Sequence, residues 1–336
     1  MATKIALITG ITGQDAAYLA QFLLAKGYRV FGTSHAATQT GAWRLQELGI
    51  GDQVERLTMD MACSRSIAAV IQSTRPDEIY NLAAQSVVAK SFEDPIHTAE
   101  VNGLAVVRML EEMRRHLPGA RFLQASSANL FGQAQHSPQN EDTPFAVTSP
   151  YAAAKLYAHC MVKNYRDCAQ LFACSAILFN HESPLRGEEF VTRKITKGLV
   201  RAIHGDGPPV CLGELDTARD WSFAGDFAEA MWSMLQLPAA EDFVLASGQT
   251  HTVRDFVLAT AKELKVELVW EQAAGREIAR HQGRIVLEAG SSPRRPGEIL
   301  TLCGDARKAR EKLNWRPKVD FSNLVKLMVE AEMARV

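Results

Sequence analysis

Cysteine is sparse and unpatterned in this chain: Cys63, Cys160, Cys168, Cys174, Cys211 and Cys303 are scattered and form no C-x-x-C pair. A disulfide framework needs regular spacing in a short secreted chain, and a zinc site needs a compact Cys/His cluster, so neither is expected. The cysteines read as reduced packing residues of a cytoplasmic protein. No dense Lys/Arg block occurs and the formal net charge is -1, which argues against nucleic acid or an anionic membrane surface as a partner. Short basic stretches such as Arg114-Arg115 read as solvated helix faces. No apolar run reaches the roughly 18 residues that a membrane helix requires. The opening MATKIALITG lacks the flanks of a signal peptide and reads as a strand entering a glycine turn. Internal repeats and low-complexity tracts are missing as well.

What is present is an ordinary globular balance. The 336 residues are 47% apolar and 22% charged, enough for two packed domains. Apolar runs at Lys4 to Thr9, Tyr28 to Gly32, Val54 to Leu57, Glu78 to Ala83, Arg121 to Ala125 and Phe172 to Leu178 read as strands. Helical patterns separate several of them. One carries the stripe Val106, Met109, Leu110 and Met113, read as plain core. Alternating strands and helices predict βαβ units, hence an α/β fold with a Rossmann doubly wound parallel sheet. After Asn180 the segments shorten, turn signals such as Gly205-Asp206-Gly207 appear and basic residues recur at Arg193, Lys194, Arg219, Arg294 and Arg295. A smaller, discontinuous α/β substrate domain is expected there. Residues 1–179 with a return segment near 218–248 would form the dinucleotide-binding half, and 180–217 with 249–336 the other.

The first run ends in Gly10-Ile11-Thr12-Gly13-Gln14-Asp15-Ala16. Glycines so spaced let the backbone turn tightly and approach a pyrophosphate, which then sits on the N-terminus of the next helix. Gly10, Thr12, Gly13, Gln14 and Asp15 are therefore candidate contacts of a nicotinamide dinucleotide. The end of the second strand should choose between NAD and NADP, but Thr33-Ser34-His35-Ala36-Ala37 offers neither an acid nor an arginine. Ser34 suits a 2′-phosphate or a 2′-hydroxyl, and Arg44 stands too far along to assign, so both coenzymes stay open. Asp60 and Met61 after the third strand, and Leu82 and Ala83 after Asn81, are candidate walls for adenine and ribose.

Ser149-Pro150-Tyr151-Ala152-Ala153-Ala154-Lys155 begins a helix, with Ser149 as cap and Pro150 at the first helical position. Tyr151 and Lys155 are then one turn apart on one face. A phenol titrates near 10 in water. A neighbouring ammonium favours the phenolate and makes proton exchange with a hydroxyl or carbonyl feasible. Ser127, at the close of the fifth strand, is placed to bond the same oxygen. Ser127, Tyr151 and Lys155 are the candidate catalytic residues, the last two also touching the dinucleotide.

With these stretches in place, the chain resembles the GDP-mannose 4,6-dehydratase branch of the extended short-chain dehydrogenases over nearly its whole length. The resemblance rests on Gly10 to Asp15, Asn81 to Ser86, Ser149 to Tyr157, Ile177 to Pro184, Phe190 to Lys194, Arg219-Asp220-Trp221, and Gly304-Asp305 with Trp315-Arg316-Pro317. It implies a GDP-hexose substrate held by Asn180, Thr192, Lys194, Arg219, Arg295 and Glu298, with Asn129 at the reacting end. Arginines fork onto phosphate oxygens and a glutamate accepts from ribose or base donors.

Two departures from that family matter. Its dehydratases carry Ser/Thr-x-Glu at the end of the fifth strand, and the glutamate takes the C5 proton; here Ser127-Ala128-Asn129 puts an amide in that place. An amide cannot abstract a proton. Glu141 lies further along on a loop and reads as structural. The remaining groups suffice for redox at C4, so NAD(P)H-dependent reduction of a GDP-4-keto-6-deoxyhexose is the expected reaction. A GDP-hexose 4-epimerase, a dehydratase with a relocated base and a non-catalytic nucleotide-sugar-binding paralogue are the alternatives. The family also uses an Arg-Arg pair for NADP and for tetramer contacts, replaced here by Ala36-Ala37. A homodimer through the long helices is the expected assembly.

Overall fold

Ile5 to Thr9 contains no polar alternation, and the segment is a strand buried at every residue after the first. Strands covered on both faces read this way because helices pack above and below them. In the computed structural model, which describes residues 3–35, 42–204, 207–273, 275–290 and 299–336, this pattern builds the whole first half. In chain order come β1 (Ile5–Thr9), α1 (Gln14–Ala25), β2 (Arg29–Ser34), α2 (Trp43–Glu47), β3 (Glu55–Thr58) and α3 (Ser64–Thr74). Next are β4 (Glu78–Asn81), α4 (Val88–Glu93), α5 (Pro95–Ala99), α6 (Ala105–His116), β5 (Arg121–Ala125), α7 (Pro150–Ala169) and β6 (Phe172–Leu178). The second half holds β7 (Asn180–Glu182), α8 (Val191–His204), β8 (Val210–Cys211), β9 (Ala218–Arg219), β10 (Trp221–Phe223), α9 (Ala224–Met234) and β11 (Phe243–Leu245). It closes with β12 (His251–Thr252), α10 (Val253–Glu263), β13 (Val269–Ala273), β14 (Arg276–His281), β15 (Arg284–Ala289), β16 (Thr301–Leu302), α11 (Arg307–Lys312) and α12 (Phe321–Met333).

Seven parallel strands form the central sheet in the order β11-β6-β5-β4-β1-β2-β3. The order reverses between β1 and β4, which opens a crevice at the C-terminal ends of those strands, the place where such sheets bind ligands. Helices α1 and α9 cover one face through Leu19, Leu23, Phe227 and Met231. Helices α3, α6 and α7 cover the other through Ile67, Met109 and Val162. The stripe Val106, Met109, Leu110 and Met113 is wholly buried there, core as its spacing predicts. A further apolar cluster joins α8, α10 and α12 to the sheet β13-β14-β15-β8 through Ile195, Leu199, Val257, Leu287 and Leu324. Leu302, Ala306 and Trp315 pack instead with the first cluster, beneath α9. Among the described residues no helix is long and apolar enough to cross a membrane.

The strand read as running to Ala83 ends two residues earlier. Leu82 and Ala83 turn their N–H groups onto the hydroxyl of Thr9, at 3.0 and 2.9 Å, so the chain bends over the crevice instead of extending the ladder. The second strand runs two residues past Gly32, to Ser34, because β3 pairs with it to that point. One wide turn, Glu100–Leu104, joins α5 to α6 with π-helical geometry, for which the sequence carries no local signal.

Candidate active site

The crevice is built on a relay of buried side chains at the ends of three neighbouring strands. Thr9 donates to Asn81 Oδ1 at 2.6 Å, and Asn81 Nδ2 donates to Gln124 Oε1 at 2.7 Å. Gln124 Nε2 in turn donates to the carbonyl of Ala125 at 2.8 Å, and Lys155 Nζ reaches that same carbonyl at 2.8 Å. Thr9 and Asn81 end their strands, Gln124 stands one residue before the end of β5, Lys155 lies on α7, and each is buried. Leaving any one unpaired would cost roughly 1–3 kcal/mol, so the relay fixes the floor of the crevice.

Above the relay, Gly10 has φ +71° and faces the turn after β4; a Cβ there would lie 2.8 Å from Ala83 Cα. Only glycine fits both the left-handed backbone and the contact. Gly13 caps α1 without a side chain, its N–H turned back to Gly10 O at 2.9 Å. The first intrahelical bond runs from Ala17 N to Gly13 O, which leaves the N–H groups of Gln14, Asp15 and Ala16 without an intrahelical partner at a positive helix end. This cradle fits a dinucleotide pyrophosphate. The side chains of Gln14 and Asp15 point elsewhere: Gln14 bridges His181 O (2.9 Å) and Ser183 Oγ (2.8 Å), and Asp15 Oδ2 meets His181 Nε2 at 2.9 Å. Their contribution to the cradle is therefore backbone. His181 Nδ1 lies 2.6 Å from Phe179 O, so both ring nitrogens face acceptors. Burial pushes that imidazole's pKa down, but the facing Asp15 carboxylate overrides it and the net direction is up.

The walls named from sequence lie at or just past the ends of β2, β3 and β4. Ser34 and Asp60 end β2 and the stretch after β3, where Met59 N bonds Ser34 O at 2.9 Å and Asp60 Oδ1 accepts from Ala62 N at 2.9 Å. Met61 is buried, while Leu82 and Ala83 line the crevice opposite Gly10. Ala36 and Ala37, Gly205 and Asp206, and Arg294, Arg295 and Glu298 lie outside the described residues. A residue that the sequence reading missed is Asn102, in the π-helical turn: its side chain accepts from Gln85 N at 2.8 Å and donates to Gln85 O at 2.9 Å, pinning the loop after β4. Nothing local in the sequence marks it.

Ser149 caps α7, accepting from Ala152 N at 3.1 Å, with Pro150 at the first position. The cap sets Tyr151 and Lys155 one turn apart, both buried, with Nζ 6.0 Å from the phenol ring centre. Burial raises the Tyr151 pKa, and the hydrogen-bonding hydroxyl of Ser127 offsets that only in part. Burial lowers Lys155 to about 8, with the Asp15 charge acting the other way. The expectation that Lys155 draws the phenol toward phenolate is therefore corrected: its ammonium is turned to Ala125 O, and desolvation dominates at Tyr151. Ser127 Oγ also accepts from Asn129, through the backbone N–H and Nδ2, each at 3.2 Å. Glu141 is committed elsewhere, accepting from Val244 N at 2.7 Å. Burial raises its pKa.

On the other side of the crevice, Asn180 opens β7 and is half-buried, Arg219 ends β9 with Nη1 on Ala218 O (2.8 Å), and Lys194 is exposed on α8. Thr192 is fully buried with its hydroxyl on Glu182 Oε2 at 2.5 Å. It is placed to anchor α8 rather than to meet a ligand.

A doubly wound sheet, a glycine cradle at its switch point and a Tyr-x-x-x-Lys helix alongside define the short-chain dehydrogenase/reductase class of dinucleotide-dependent enzymes. The chain belongs to the GDP-mannose 4,6-dehydratase family: a family model described as "GDP-mannose 4,6 dehydratase" matches residues 7–328. A Drosophila melanogaster protein named GDP-mannose 4,6 dehydratase is 44% identical over 98% of this chain and 86% of its own length. A Vibrio cholerae GDP-mannose 4,6-dehydratase is 42% identical over 98% and 94%. In fold, the chain is similar to the Thermus thermophilus UDP-glucose 4-epimerase in complex with NAD, with a TM-score of 0.83 at 23% identity over 99% of this chain and all of that one.

Proposed function

We propose that this protein uses NAD(P)H to reduce the C4 carbonyl of a GDP-4-keto-6-deoxyhexose. The observation that supports the reading is Asn129, whose amide donates to Ser127; the resemblance implies that the family's dehydratases hold there the glutamate that takes the C5 proton. The Ser127–Tyr151–Lys155 set is otherwise complete. A bound reduced nicotinamide supplies the hydride at C4. Tyr151, buried and held protonated at neutral pH, gives its proton to the C4 oxygen as the carbonyl becomes an alcohol. Ser127 donates to that oxygen, since its lone pairs already accept from Asn129. Lys155, bonded to Ala125 O, holds its charge beneath the reacting end of the crevice. Asn180, Lys194 and Arg219, with Arg295 and Glu298, are the proposed nucleotide-sugar contacts, and the exposed Leu104 and Tyr157 beside α6 and α7 are the proposed homodimer face.

A second reading, a working dehydratase with a relocated base, is favoured by the names of the relatives, which are dehydratases at 42–44% identity. Two incubations separate the readings: GDP-mannose with NAD(P)+, and GDP-4-keto-6-deoxymannose with NAD(P)H. The expected result is coenzyme oxidation with the keto sugar and no 4-keto-6-deoxy product from GDP-mannose. Formation of that product by the native protein would establish the second reading in place of the first.

A further inference from the structure

Residues 181–185 form a strap that leads from β7 toward α8, and the glycine-turn region grips it repeatedly. Gln14 holds His181 O and Ser183 Oγ, and Asp15 holds the His181 ring. Arg44 adds a grip of a different kind, because one guanidinium touches both parties. Its Nη1 donates to Thr12 O at 2.7 Å, inside the glycine turn, and its Nε donates to Leu185 O at 2.6 Å, at the end of the strap. The peptide that points its carbonyl at Arg44 is the one that turns Gly13 N–H back to Gly10 O, so this bond sets the pitch of the turn ahead of the helix head.

The strap is just as firmly tied on its far side. Glu182, buried, accepts from Thr192 in the first turn of α8 beside Lys194 and is ion-paired with the Arg186 guanidinium at 3.0 Å. Helix α2 itself is bolted down by Trp43, whose ring carries Arg44 at 4.5 Å, Arg193 of α8 at 5.2 Å and Arg335 at 5.6 Å. Arg193 is in turn paired with Glu332 of α12 at 2.9 Å. A contiguous polar path thus runs from the turn that fits a pyrophosphate to the helix that carries a proposed sugar-nucleotide contact, and Arg44 is its junction.

We propose that Arg44 is a positioning residue that couples dinucleotide binding to nucleotide-sugar binding. The inference rests on the two ligands of the proposed function. Phosphate seated on the turn orders the Thr12–Gly13 peptide; Arg44 carries that order to Leu185, and the strap then holds α8 ready for the second ligand. Coupling of this kind is reciprocal, each ligand tightening the other by one common factor.

The test is calorimetric titration of GDP in the absence and presence of saturating NADH or NADPH, and of each coenzyme with and without GDP. The native protein is expected to show mutual tightening of roughly 5- to 20-fold, equal in both directions. Arg44→Met, which keeps the contact with Trp43 and removes both donors, is expected to bring the factor to within twofold of one. Arg44→Lys cannot span both carbonyls and should fall between. A purely structural role would weaken both ligands, or lower the melting temperature, without changing the ratio. Coupling of native size in both variants, or none in the native protein, overturns the inference. Failure of GDP to bind the native protein overturns the substrate reading, and this inference with it.

Discussion

Replacing Lys155 by methionine should abolish turnover and yet make the protein more stable at neutral pH. The ammonium is buried, and desolvation lowers its pKa from the ordinary 10.5 to about 8. At pH 7 the lysine is charged in both the folded and the unfolded chain, so the folded state bears the whole penalty. That gap corresponds to roughly 3 kcal/mol at about 1.4 kcal/mol per pH unit. Methionine removes the charge while nearly matching the volume. The one hydrogen bond lost is to Ala125 O, which keeps Gln124 Nε2 as a partner at 2.8 Å. A net gain of roughly 2–3 kcal/mol is therefore expected at pH 7. Between pH 8 and 10.5 the unfolded lysine holds more protons than the folded one, so native stability climbs through that window and the advantage of methionine shrinks toward zero. Urea unfolding of both proteins at about pH 7, 8.5 and 10 measures this. A destabilised Lys155→Met at pH 7, or a difference that does not change with pH, would refute the assignment of a strained, functionally retained lysine.

Other expectations concern the remaining parts of the site. Tyr151→Phe should remove turnover and leave GDP affinity within about twofold, because its hydroxyl acts on the reacting oxygen alone; retained turnover would take Tyr151 out of the mechanism. Gly10→Ala should lose about tenfold or more in dinucleotide affinity and roughly 1–3 kcal/mol of stability, from the positive φ and the 2.8 Å approach to Ala83, read by fluorescence titration and thermal melting. Asn129→Glu should confer elimination on GDP-mannose at a rate about 10²–10⁴-fold above the native protein, followed by mass spectrometry of the sugar nucleotide. For the proposed dimer, Tyr157→Glu should shift the mass found by light scattering to that of one chain.

Features that depend on neighbours in sequence were legible before any coordinates. The glycine turn, the Ser149-Pro150 helix start and the apolar strands of the sheet all follow from local backbone rules, and the structure has them. Links that depend on chain segments far apart were not. Gln14 and Asp15 read as dinucleotide contacts because the motif is local, but nothing local shows that their side chains close on His181, more than 160 residues on. Arg44 had no assignment because its partners, Thr12 and Leu185, are brought together only by the fold. The pKa of Tyr151 failed for a related reason. Spacing places an ammonium one turn away, but only the packed structure shows that it faces Ala125 O and that burial outweighs it.

The chemistry of the family explains why one amide weighs so heavily. Converting a hexose to its 4-keto-6-deoxy form requires oxidation at C4, removal of the C5 proton with loss of the C6 hydroxyl, and return of hydride. The outer steps use the coenzyme, the tyrosine and the lysine; only the middle step requires a base beside C5. On the proposed reading Asn129 leaves the outer steps whole and removes the middle one; its side chain donates to Ser127.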